Sequence, residues 1–77
     1  MYRYAYWRHC ISGEIYAVAL RAVGTLPRWE IVGVCGPLPP GEALPGRQAD
    51  HKFQADVAWV KKKKGEFEVY SPEEGEE

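Results

Sequence analysis

The stretch RQADHKFQADVAWVKKKKG, residues 47–65, decides the fold, because a helix and one half of a hairpin both fit it. Its two aspartates come early, the lysines Lys61–Lys64 come late and Gly65 follows them, as the helix dipole and a left-handed C-cap favour. Four of its apolar residues recur with the spacing of a single helical face: Ala49, Phe53, Val57 and Val60. These features predict one helix over about residues 50–64.

The alternative for this stretch is a hairpin, with strands over Phe53–Val60 and Glu66–Tyr70 and the lysines at its tip. That hairpin would crowd four like charges into one turn, whereas a helix distributes them around its axis. We therefore expect the helix, followed by a final strand over residues 66–70 that rejoins the sheet.

Upstream, two runs of aromatic and β-branched residues, 2–11 and 14–23, flank Ser12-Gly13 and predict a β-hairpin. A third strand over residues 28–35 follows a short connection, so the three strands are expected to form an antiparallel meander. The core side of this third strand is left open, because both of its sides are apolar: Trp29, Ile31 and Cys35 on one, Val32 and Val34 on the other.

The faces of the predicted hairpin follow from its turn. A tight turn at Ser12-Gly13 would place Ile11 opposite Glu14 and Trp7 opposite Val18. One face then carries the apolar side chains expected in the core, Trp7, Ile11, Val18 and Leu20. The other face carries tyrosines, arginines and alanines, among them Tyr4, Tyr6, Arg8 and Arg21.

Residues 36–46 hold four prolines and three glycines and are expected to form an irregular crossover. The predicted fold is therefore an α+β domain with a three-stranded meander, this crossover, one helix packed on one sheet face and a last strand. A small all-β barrel is the alternative. Residues 1–70 are expected to form one small domain, and residues 71–77 a flexible acidic tail.

Composition agrees with a small folded domain, because 77 residues with 45% hydrophobic content suit one modest core. The longest apolar run, Ile15–Leu20, is far shorter than the roughly 20 residues of a membrane-spanning helix. The N-terminus lacks the apolar centre of a secretory signal, so we expect a cytoplasmic protein. Residues 1–65 hold ten basic and five acidic residues, and residues 66–77 hold six glutamates. The low net charge thus conceals a basic domain and an acidic end.

No arrangement of reactive residues predicts catalysis or a metal site. His9 and Cys10 are adjacent, and neighbouring strand residues point to opposite faces, which disfavours binding of one ion by both. Cys10 and Cys35 lie in apolar strand contexts and are expected to be buried structural residues. Glu66 and Glu68 suit the solvent side of an edge strand better than an acid and base pair. We therefore expect a protein that is not an enzyme and needs no cofactor.

The predicted helix covers one face of the sheet, although the second and third strands are apolar on both sides. A second copy of the chain is the simplest cover for the other face. The sequence therefore predicts a homodimer with Tyr4 and Tyr6 near its interface, while Trp29 is expected in the core.

The face of tyrosines and arginines predicts a non-catalytic interaction domain that binds a protein partner or itself. The alternative is a protein that binds single-stranded nucleic acid, with bases stacked on tyrosines and phosphates held by cations. The candidate binding residues are Tyr4, Tyr6, Arg8, Arg21, Lys61, Lys62, Lys63 and Lys64.

Overall fold

Four antiparallel strands form one open sheet in the computed structural model, which describes residues 1–26 and 28–72. The domain is small and mostly β. The spatial order of the strands, β3-β2-β1-β4, leaves the sheet open, so the alternative closed barrel does not form. Residues 73–77 of the predicted tail lie outside the described residues. The strands are β1 (Tyr2–His9), β2 (Ile15–Val23), β3 (Arg28–Leu38) and β4 (Phe67–Tyr70). The helical elements are α1 (Ala58–Lys62) and two 3₁₀ turns, Gln48–Asp50 and Lys64–Glu66.

The turn between β1 and β2 is wider than the predicted tight turn. The Gly13 N–H donates to the His9 carbonyl at 2.7 Å, and the His9 N–H donates to the Glu14 carbonyl at 2.8 Å. Gly13 permits this turn because its φ of +79° lies in the left-handed region. Ile11 lies within the turn and is 75% exposed, so the prediction that it belongs to the core is wrong.

The wider turn shifts the hairpin register by two residues. Trp7 pairs with Tyr16 instead of Val18, and Tyr6 pairs with Ala17. Because side chains alternate along a strand with a period of two, this shift leaves each side chain on its predicted face.

A β-bulge in β3 determines which of its side chains face the core, a question that the sequence leaves open. Ile31 and Gly33 pair with consecutive residues of β2, so Val32 is an extra residue between them. The bulge brings Ile31 and Val34 to the same side of the sheet, where both are buried in one core cluster.

The predicted helix over residues 50–64 is wrong except for its last part, α1. Gln54 instead pairs with Val34 of β3, and each backbone N–H donates to the other residue's carbonyl, at 2.8 and 3.0 Å. A helix over the same residues would direct these backbone groups along its own axis. The alternative strand over Phe53–Val60 does not form either, whereas the predicted final strand is present as β4.

The chain crosses the edge of the sheet at Gln54 and therefore covers both faces. Before the crossing, Phe53 packs against the cluster on one side, which we call the loop face; after it, Val57 and Val60 pack on the other, the helix face. The core of the helix face consists of Tyr16, Val18, Ile31, Val34, Val57 and Val60, and that of the loop face of Tyr6, Ala17 and Ala43.

The loop of residues 39–53 lies over the face that was expected to need a second copy of the chain. Tyr6, predicted near a dimer interface, is 1% exposed beneath this loop. The reason for predicting a homodimer, an uncovered second face, therefore does not apply to this fold, and the homodimer stays a prediction.

We expect Gly36→Ala to lower the free energy of unfolding by about 2–4 kcal/mol. A β-carbon at Gly36 would lie 2.6 Å from Cδ2 of Tyr16, and the φ of Gly36, +146°, is one that L-residues rarely adopt. Urea denaturation measures the loss. Gly41→Ala is the control, because nothing lies within 4 Å of a β-carbon at that position. Equal unfolding midpoints for the two variants would contradict the packing described for Gly36.

Candidate functional site

A groove lies between the first half of β3, an edge strand of the sheet, and α1. Its volume is about 360 Å³, which is within the size range of ligand-binding clefts. We call it the basic groove. It is lined by Val23, Arg28, Trp29, Glu30, Ile31, Lys61 and Lys64.

The basic groove carries an excess of positive charge. Glu30 contributes the one carboxylate among its lining residues, and this group accepts a hydrogen bond from Arg21 at 3.2 Å and lies 3.8 Å from Nζ of Lys61. Two cations therefore share Glu30. Within residues 1–26 and 28–72, neither Arg28 nor Lys64 forms an ion pair, so their charges are available to an anionic ligand.

Trp29 forms the aromatic part of the groove wall. It is half-buried rather than in either core cluster, so the prediction that it belongs to the core is wrong. The guanidinium carbon of Arg3 lies 4.9 Å from the centroid of the Trp29 ring, a cation–π contact that adds another positive charge beside the groove.

The two tyrosines of the predicted binding face are engaged by the loop of residues 39–53. The Tyr6 hydroxyl donates to the Leu44 carbonyl at 2.9 Å and lies 2.9 Å from Nε2 of His51. Since a hydroxyl has one proton, His51 must donate this second bond and therefore carries a proton on Nε2. The Tyr4 ring packs against Phe53, with 5.5 Å between the ring centroids. The loop thus occupies the positions where bases or a partner would stack on these rings.

The predicted cations are divided between two parts of the molecule. Two nitrogens of Arg8, Nε and Nη2, donate to the same carboxylate oxygen of Glu68 across β1 and β4, and this ion pair offsets the charge of Arg8 on the loop face. Arg21 binds Glu30 at the basic groove. Of the run Lys61–Lys64, the first and last residues line the groove and the two between them are exposed beside it. Glu30 therefore links Arg21 to Lys61 at the basic groove, while Arg8 is paired with Glu68 on the other side of the sheet's first hairpin.

A chain of polar side chains at the turn between β1 and β2 is a feature that the sequence reasoning missed. Nδ1 of His9 lies 3.0 Å from the Ser12 hydroxyl, and Nε2 lies 2.7 Å from a carboxylate oxygen of Glu66. A hydroxyl, an imidazole and a carboxylate in this order can relay a proton. The Ser12 oxygen also accepts the Glu14 N–H at 3.3 Å, so the same atoms close the turn. We therefore assign these hydrogen-bonded side chains a structural role in the turn.

The two cysteines have different environments. Cys10 is an exposed thiol in the turn after β1, because the wider turn ends the strand at His9, and the prediction that it is buried is wrong. Cys35 is a partly buried thiol against the loop-face core. Among the described residues, no group of three His, Cys, Asp or Glu side chains is arranged to hold a metal ion.

Two buried tyrosines have raised pKa values. Burial, together with the hydrogen bond to Glu14 at 2.9 Å and the charge of that carboxylate, raises the pKa of Tyr16 to about 12. Burial is also the main cause of the raised pKa of Tyr6; the bond to the Leu44 carbonyl opposes it and the charge of Asp50 adds to it. Both hydroxyls are therefore protonated donors at neutral pH.

In the part of the chain that the structure describes, no helix has the length and apolar character that crossing a membrane requires. Comparison with protein-family models, with curated proteins and with solved structures finds no match to this chain. Function is therefore inferred from the geometry of the basic groove and its surroundings.

We expect Tyr6→Phe to lower the free energy of unfolding by about 1 kcal/mol, because it leaves the Leu44 carbonyl without this donor. The loop of residues 39–53 should also be cleaved faster by a protease, since a bond that holds it to the sheet is lost. Urea denaturation and limited proteolysis measure the two effects. Tyr2→Phe, at a ring that is 56% exposed, is the matched control. If both variants unfold and are cleaved like the native protein, the contact of Tyr6 with the loop is refuted.

We expect Tyr16→Phe to abolish a phenol ionisation near pH 12 in an ultraviolet absorbance titration. A pKa raised from 10.0 to about 12 means that folding favours the neutral phenol, so the resulting stabilisation is complete below pH 10 and is lost as the pH rises to 12. The native protein should accordingly lose more stability than Tyr16→Phe over this interval. An ionisation near pH 12 that persists in the variant would assign it to another group.

Proposed function

We infer that this chain is a small non-catalytic binding domain whose binding surface is the basic groove and whose partner carries negative charge. One observation carries this proposal. The groove joins three cationic side chains and an indole, and its carboxylate, Glu30, is already shared by Arg21 and Lys61. Aromatic and arginine side chains together are typical of binding hot spots.

The groove replaces the tyrosine and arginine face as the proposed surface. Tyr6 is buried, Tyr4 packs against Phe53 and Arg8 is paired with Glu68, so a partner would have to displace the loop to reach them. The groove residues need no such rearrangement, because Arg28, Lys61 and Lys64 are exposed. Preformed surfaces bind without the cost of ordering or displacing a loop.

The chemistry of the groove supports binding rather than catalysis. Its seven lining residues include no serine, cysteine or histidine that could act as a nucleophile or a proton carrier. The carboxylate of Glu30 is already engaged by two cations, Arg21 and Lys61.

Single-stranded nucleic acid is the second candidate partner. The exposed Lys62 and Lys63 extend the positive surface beyond the groove, as a phosphate backbone would require. Bases, however, would have to stack on Trp29, because Tyr6 is buried. A negatively charged protein segment needs the cations alone and is the partner that we favour.

We expect the protein to bind a short polyglutamate peptide with an affinity that falls as salt concentration rises. Lys64→Glu should weaken this binding about tenfold, because it places a like charge in the groove. Isothermal titration calorimetry measures both effects, with a short oligothymidylate as a second probe.

Lys52→Glu is the matched control, since it makes the same change of charge at an exposed lysine outside the groove. If the native protein binds neither polyanion, the proposed function is overturned. Equal losses of affinity in Lys64→Glu and Lys52→Glu would show that net charge, and not the groove, governs the binding.

A further inference from the structure

We propose that the partner of the basic groove is an extended acidic peptide that adds a strand to the outer edge of β3. This inference rests on the proposed function of the groove and names its class of partner. It combines four observations: a strand edge that is open along its first half, pairing of the chain with the same edge further along, a helix wall beside the open half and cations along both.

The first observation is the edge itself. β3 is at one end of the sheet and pairs with β2 on its inner side. Four consecutive residues of β3, Arg28–Ile31, line the groove. In an antiparallel ladder, alternate residues direct their N–H and C=O groups to the outer side, so this half of the edge presents backbone donors and acceptors to the groove.

The second observation is that the chain itself already uses this edge for pairing. Gln54 forms two backbone hydrogen bonds with Val34, further along the outer side of β3. After Gln54 the chain leaves the edge and enters α1 at Ala58. Among the described residues, no other segment pairs with the outer side of β3. An added peptide would therefore lie in line with Gln54, along the half of the edge that the chain does not cover.

The third observation is the position of the helix. Lys61 of α1 and Lys64 after it form the wall opposite Arg28–Ile31. A cleft between an edge strand and a helix suits strand addition, because backbone bonds fix the peptide on one side while its side chains contact the helix on the other. Four residues of strand span about 13 Å, so the groove matches about four residues of an extended peptide.

The charges favour an acidic peptide. Carboxylates on the side of the peptide that faces α1 would meet Lys61 and Lys64, and one near the start of β3 would meet Arg28. Glu30 repels the carboxylates of an acidic partner, but its contacts with Arg21 and Lys61 offset this repulsion and leave the groove positive.

A peptide fits the groove better than a nucleic acid does. The backbone spacing of a strand edge matches another strand, whereas bases need an open aromatic face. Trp29 is the aromatic side chain of the groove, and Arg3 already lies over its ring at 4.9 Å.

The test uses a synthetic peptide in which equal numbers of Glu and Thr alternate, capped at both ends, and two N-methylated derivatives of it that are isomers of each other. One isomer is N-methylated at every Glu nitrogen and the other at every Thr nitrogen. In an added strand only alternate N–H groups face β3, so methylation blocks the pairing in one isomer and faces solvent in the other. The three peptides have the same charge, and their affinities are measured by calorimetry with the native protein, Lys64→Glu and Lys52→Glu.

We expect the unmodified peptide and one isomer to bind alike and the other isomer to bind about tenfold more weakly. Lys64→Glu should weaken the binding of the unmodified peptide, and Lys52→Glu should leave that binding unchanged. Equal binding of both isomers would overturn strand addition and leave the proposed function intact. Binding of an oligothymidylate without binding of the peptide would overturn the peptide and assign the groove to nucleic acid. Binding of neither would overturn the inference together with the proposed function.

Discussion

Two backbone hydrogen bonds between Gln54 and Val34 determine how the sheet of this domain is covered. They hold the chain at the sheet edge at the point where it passes from one face to the other. Phe53, just before the crossing, and Val57, just after it, therefore contribute to opposite core clusters. A single short helix could cover only one face, so this crossing is what allows a small chain to bury both. It also brings α1 beside β3 and so creates the basic groove.

The fold was predictable from sequence where the deciding forces are local. Alternation along the first two strands predicts their faces correctly, because it depends on strand geometry alone. The helix prediction fails for a non-local reason. Phe53 and Val57 are spaced as on one helical face, but the same spacing serves a segment that crosses a sheet edge between them. The backbone hydrogen bonds between Gln54 and Val34 favour the edge crossing over the helix, and the local sequence pattern does not indicate these bonds.

The candidate site was predictable in its cations and not in its aromatic residues. Lys61 and Lys64 stand out in the sequence as part of a charge run, and the structure places both in the groove. Tyr6 and Trp29 exchange their expected roles, the first being buried under the loop and the second lining the groove. Aromatic side chains suit a core and a binding surface equally well, so the burial of each depends on which parts of the sheet the rest of the chain covers.

An open strand edge is a liability for a small β-domain, because it can pair with the edge of another copy and promote aggregation. The cations along the first half of β3 counter this danger. Pairing of two such edges would bring Arg28 and the lysines of one copy close to those of the other, and the repulsion would oppose it. An acidic strand meets no such repulsion and gains attraction instead. The side chains proposed to select the partner are therefore also those that keep the free edge from pairing with itself, so one set of charges accounts both for a persistent open edge and for its preference for an acidic strand.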